Sequence, residues 1–102
     1  MFTIDETRPI DQALKAAIEA VLRPKLAPYG LESVRIAPGF DHGGDPAVFV
    51  DAEYTLTKTP VDAKILLAVI GEVRDVLAAR GDFRYPYIRH HFADDQPVHR
   101  SS

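Results

Sequence analysis

The chain contains no cysteine. Disulfides, thiolate metal sites and cysteine nucleophiles are therefore excluded by chemistry. The absence fits a reducing compartment, and a cytoplasmic location is the expectation. Long apolar runs are also missing. The longest is ILLAVI, from Ile65 to Ile70, far short of the roughly 20 residues a membrane-spanning helix needs. The opening MFTIDETRPI is acidic and has no basic segment ahead of an apolar run, so no signal peptide is expected. There is no excess of basic residues either. Twelve Lys and Arg stand against 15 Asp and Glu, for a net charge of −3. Such a chain lacks the electrostatic footprint of a non-specific DNA binder. No internal repeat, low-complexity tract or recognised catalytic motif is present.

What is there reads as one small globular domain. A length of 102 residues, with 46% apolar and 26% charged residues, supports a single core without metal or disulfide staples. The ordered part is expected to run over about residues 8–93, between polar tails at Met1–Glu6 and Asp94–Ser102.

Helical spacing begins after Pro9, with Ile10, Leu14, Ala17, Ile18, Val21 and Leu22 on one face. Pro9 suits a first turn, where its missing N–H costs nothing. Asp11, Lys15, Glu19 and Arg23 form a charge ladder on the solvent side. Pro24 predicts a kink or interruption, and Gly30 a stop. Leu31–Ala37 alternates as a strand, PGFDHGGDP reads as a loop, and Ala47–Thr57 reads as a longer strand pairing with the first in a hairpin. Thr59, Pro60 and Asp62 make a helix start, with Thr59 as the cap. Val61, Ile65, Leu66, Val69, Ile70, Val73 and Leu77 give that helix a wide apolar stripe, ended by Gly81. Phe83–Phe92 is a third, aromatic strand. The expected fold is a two-layer α+β domain of order α-β-β-α-β, with both helices on one face of a three-stranded sheet.

The third strand, FRYPYIRHHF, departs most from a plain core strand. Alternation places Tyr85, Tyr87, Arg89 and His91 on one face, and Pro86, Ile88, His90 and Phe92 on the other. Pro86 cannot donate to a ladder, so it marks an edge strand or a bulge. A bulge would exchange the faces beyond it. If Ile88 and Phe92 face the core, then Phe49, Asp51, Glu53, Ser33 and Arg35 join Tyr85, Tyr87, Arg89 and His91 on the open face. Tyr, Phe and Arg are the types enriched at interfaces. The surface expected to bind is therefore Phe49, Tyr85, Tyr87, Arg89 and His91. Its partner is another protein or a second copy of the chain. The blander reading is cross-strand pairing of Arg35 or Arg89 with Asp51 or Glu53 and ordinary tyrosine packing.

Two alternatives stand beside it. Aromatic and basic residues interleaved on a strand suit single-stranded RNA. The element order resembles the type II KH class of small RNA-binding folds, which implies such an accessory role. The GxxG loop of that class has no counterpart between Thr59 and Gly81, and Asp51 and Glu53 would repel phosphate. Nucleic acid is accordingly not the expected partner. The other alternative is a small metal-dependent hydrolase using His91 with Asp51 or Glu53. Asp41, His42 and Asp45 are loop candidates, with His90 and, in the tail, His99 as further ligating types. Adjacent histidines on a strand diverge, and no metal-binding spacing occurs. No cofactor, metal or catalytic residue is assigned. Asp41–Asp45 otherwise reads as a glycine-rich turn. Its two glycines precede a strand, so they lack the helix N-terminus of a phosphate cradle.

Overall fold

A computed structural model of the protein describes residues 9–57 and 59–93. The proposed tails, with His99, lie outside the described residues. The element order is α1 (Gln12–Leu26), a short 3-10 turn (Ala27–Tyr29), β1 (Leu31–Phe40), β2 (Pro46–Tyr54), α2 (Ala63–Ala79) and β3 (Tyr85–His91). The fold is α+β, as the pattern predicts. β2 lies in the centre, antiparallel to β1 and parallel to β3.

Helix α1 starts at Gln12, three residues beyond Pro9, which lies outside its first turn. Asp11, expected in the charge ladder, is its N-cap and accepts from the Leu14 N–H at 2.8 Å. Leu14, Ile18, Leu22 and Leu26 recur every four residues and are buried. Pro24 does not interrupt the helix, which runs on to Leu26. Leu22 and Leu26 are fully buried and hold the last turn against the core, whereas Pro24 and Ala20, whose carbonyl loses its donor, are exposed. Water can satisfy that carbonyl. Gly30 then reverses the chain at a φ of 92°. A Cβ there would lie 2.6 Å from the Thr55 carbonyl oxygen, so both the backbone and the space require glycine.

Helix α2 begins later than its Thr59-Pro60 signal. Asp62 is the cap, accepting from the Lys64 N–H at 2.9 Å. Aspartate is the better N-cap, and Thr59 instead gives its N–H to the Thr57 hydroxyl. The helix ends in a Schellman arrangement, with the Gly81 N–H on the Ala78 carbonyl and the Asp82 N–H on the Leu77 carbonyl.

The hairpin is longer than alternation indicated. β1 continues to Phe40 and β2 starts at Pro46, so Pro38, Gly39 and Phe40 are strand residues and not loop. The turn is confined to Asp41–Asp45, where Gly44 takes a φ of 85°. β2 ends at Tyr54, short of the expected Thr57, where the Thr55 N–H turns to the Gly30 carbonyl. β3 is trimmed at both ends of the predicted Phe83–Phe92 span.

Val48, Val50, Ala52 and Tyr54 from β2 share one buried cluster with Leu14, Ile18, Leu22 and Leu26 of α1 and Val69, Val73 and Leu77 of α2. Burial of each large aliphatic side chain contributes roughly 1.5–3 kcal/mol. Among the described residues, no helix is long and apolar enough to cross a membrane.

Candidate functional site

Strand alternation leaves the odd-numbered residues of β2 and β3 on the face opposite that core. The parallel register sets Phe49 beside Tyr87, Asp51 beside Arg89 and Glu53 beside His91, with no irregularity at Pro86. The bulge that would have exchanged the faces does not form. β3 is an edge strand, where a missing N–H is tolerated. On the other side of β2, Arg35 stands opposite Asp51 and Ser33 opposite Glu53.

The rings on this face form a continuous strip. Tyr85 and Tyr87 lie 4.8 Å apart between centroids, tilted by 59°. Tyr87 stacks on Phe49 at 5.6 Å and 23°. The Arg89 guanidinium carbon sits 4.8 Å from the Phe49 ring centre, within cation–π range. Gly39 makes room for this ring. A Cβ at that position would lie 2.6 Å from Phe49 Cε2. The strip borders a groove of about 610 Å3 that also reaches Phe40 and His42.

Ionic contacts continue the strip. Arg89 grips Asp51 with both prongs, Nε to Oδ1 at 2.8 Å and Nη2 to Oδ2 at 2.9 Å. His91 Nε2 meets the same Oδ1 at 2.8 Å. The Arg89 hydrogen bonds, aided by His91, hold the Asp51 carboxyl below its ordinary range against a partial desolvation cost. Arg35 and Glu53 make a looser pair at 3.9 Å. Both pairings are those the cross-strand reading expected.

Of the loop candidates, only Asp41 enters the strip through its side chain. Its Oδ1 accepts the Gly43 and Asp45 N–H groups, both at 2.9 Å, and its Oδ2 accepts the Tyr87 hydroxyl at 3.1 Å. The Asp45 backbone bond is the main reason its carboxyl titrates below the usual value. In return, the bond to Asp41 raises the Tyr87 hydroxyl. His42 lines the groove, whereas Asp45 contributes backbone groups to the turn.

His90 and His91 part company, as alternation requires. His90 turns to the core side, where its Nδ1 meets the Tyr54 hydroxyl at 2.7 Å. Phe92 stacks on Tyr54 at 4.5 Å. Burial lowers the His90 pKa and raises that of Tyr54. A neutral imidazole accepting the tyrosine proton satisfies both groups. Among the described residues, no group of three or more His, Asp or Glu could hold a metal ion. His91 and Asp51 are together, but Glu53 is turned to Arg35.

Two features escaped the sequence. Arg84 and Asp82 form a bidentate pair at 2.9 and 2.6 Å, with side chains only 6% and 2% exposed. Charge at alternate positions ahead of β3 was its only signal. The Tyr87–Asp41 bond joins residues 46 apart and left no local trace. Gly39 could have been flagged, because a glycine inside a strand marks close approach. Comparison with protein-family models, with curated proteins and with solved structures finds no match.

Proposed function

We propose that this chain is a non-catalytic protein-interaction module and that the odd-numbered face of its sheet is the contact surface. The observation carrying this reading is the continuous ring contact of Tyr85, Tyr87 and Phe49, closed by the Arg89 guanidinium over Phe49. Rings already held by their neighbours lose little rotamer freedom on binding. Tyrosine and arginine are the usual anchors of interface energy. The charges beside them are matched within the chain, since Asp51 is held by Arg89 and His91. A partner therefore meets no unpaired carboxylate there. The reading extends to self-association, because a free sheet edge can accept another strand.

The test uses Tyr87→Ala and Phe49→Ala, each checked for an intact circular-dichroism spectrum. Affinity capture from the source cells, followed by titration of the captured protein in purified form, should show at least about tenfold weaker binding for both. Leu67→Ala, on an exposed position of α2, serves as the control. Unchanged binding by both strip variants would sink the reading. The RNA alternative keeps one supporting observation, rings on adjacent strands of an open face. Retention on a single-stranded RNA column that weakens steeply with salt would transfer the surface to that role.

A further inference from the structure

The two edges of the sheet are protected unequally. β3 is short and carries Pro86 near its start, and α2 packs beside it, with Arg74 of α2 5.3 Å from the Tyr85 ring centre, whereas the proline of β1, Pro38, lies beyond its Ser33–Ala37 stretch. β1 is the longest strand, and apart from Glu32 its residues pair with β2 on one side only. At its start a register shift falls between Leu31 and Ser33, and the Arg23 guanidinium reaches the Glu32 carbonyl at 3.5 Å. Past that bulge, Ser33–Ala37 is regular strand with no pairing partner on its outer side among the described residues. Val34 and Ile36 pack against the core yet remain only half-buried. Between them and α1 runs a groove of about 390 Å3, whose α1 wall presents Gln12, Lys15, Ala16 and Glu19.

From this geometry we infer that β1 is a dimerisation edge whose occupant is the β1 strand of a second copy, set antiparallel about a twofold axis normal to the sheet. The inference rests on the reading of the chain as an interaction module, but uses a different surface from the aromatic strip. Three features select a second copy as occupant. An isologous contact requires a surface complementary to itself, and Lys15 and Glu19 supply this: opposite charges one helical turn apart on the groove wall, Glu19 also sharing an exposed pair with Arg23 at 3.5 Å. The same axis runs the two α1 helices antiparallel, and because Lys15 and Glu19 line one groove with Val34 and Ile36, an axis near Ile36 brings Lys15 of each copy towards Glu19 of the other. Strand register provides the second feature. Core faces stay together only if residues of the same parity pair. An axis at Ile36 sets Ile36 opposite its own copy, Arg35 opposite Ala37 and Val34 opposite Pro38, so the arginines do not oppose each other and the seam forgoes only the N–H that Pro38 lacks. Third, the half-buried Val34 and Ile36 of each copy close over the groove of the other.

The result is a sheet of order β3-β2-β1-β1-β2-β3, with both aromatic strips on the same side. The two β2 strands would stand about 14 Å apart at the usual 4.8 Å spacing. A partner chain could then engage both strips at once, gaining avidity.

Analytical ultracentrifugation of the full chain over a concentration series decides the matter. The expected mass is that of two chains. Lys15→Glu and Glu19→Lys, each placing like charges across the seam, should weaken the dimer at least about tenfold. The double variant K15E/E19K should restore it to within about threefold, because swapped charges are complementary again. Ile36→Lys should give a monomer whose circular-dichroism spectrum is unchanged, while Leu67→Lys on α2 should not alter the mass. A monomer at all concentrations, or a dimer indifferent to Lys15 and Glu19, would overturn the proposal. A monomer that still loses its partner on Phe49→Ala would leave the strip reading standing.

Discussion

Alternate residues of β2 live in two different environments. Val48, Val50 and Ala52 are wholly buried in the cluster shared with α1 and α2. Phe49, Asp51 and Glu53, one position along in each case, keep partial exposure and meet rings, a guanidinium and an imidazole. The buried face is held by apolar contact, which is non-directional and has no substitute when interrupted. The open face is held by stacking and ion pairs, which are directional, individually modest and screened by solvent. One strand thus carries stability on one side and an adaptable surface on the other. The neighbouring histidines repeat the contrast. His90 serves Tyr54 within a half-buried aromatic group, whereas His91 serves Asp51 at the surface.

Substitutions that cross this divide should show it most strongly. Val50→Asp puts an unpaired carboxylate into the apolar cluster and should cost about 4 kcal/mol or more, read as loss of the cooperative urea transition. A retained transition would mean that the two faces are not as unequal as described. Gly39→Ala should cost about 1–2 kcal/mol, because the added Cβ meets the Phe49 ring at 2.6 Å and displaces it from Tyr87. Near-ultraviolet circular dichroism of the tyrosines would report the lost stack even if stability barely changed.

The two faces should also titrate in different pH windows. The His90 pKa is lowered in the fold from its ordinary 6.5, so the unfolded chain binds its proton more readily. Stability should therefore decline as pH falls through 6.5, and His90→Gln should flatten that decline. The Asp51 pKa is lowered from 3.8, so its contribution is fully present above that value and fades as pH falls below it. Asp51→Asn should remove only this acidic limb. Denaturation midpoints against pH, for the parent and both variants, separate the two. Arg35→Ala should do least, shifting stability by less than about 0.5 kcal/mol, since its pair with Glu53 spans 3.9 Å and the arginine is 81% exposed.

The elements themselves were legible because each rests on local periodicity. The even face of β2 and the stripe through Val69, Val73 and Leu77 were plain in the alternation and the helical spacing. The membership of the strip followed from the same rule once β3 proved free of a bulge. The ends of elements were less legible. Asp11, Asp62 and Thr59 are all competent caps, and which of them serves depends on where each helix must start to aim its stripe at the core. Pro24 misled for a related reason. Its local cost is real, but the burial of Leu22 and Leu26 on either side outweighs it.

Local pattern and composition sufficed for the order α-β-β-α-β, for the alternation within each strand, and for the exclusion of thiol chemistry. These follow from periods of 2 and 3.6 residues and from composition, which need no distant neighbour. It took the folded chain to bring Asp51 into the grip of Arg89 and His91, to carry Tyr87 to Asp41 across the hairpin end, to fix which face of β3 is buried, and to leave the outer side of β1 unpaired among the described residues. Each of these depends on strand order and register. Residues far apart in the chain settle those through the shared core, so no local stretch of sequence records them.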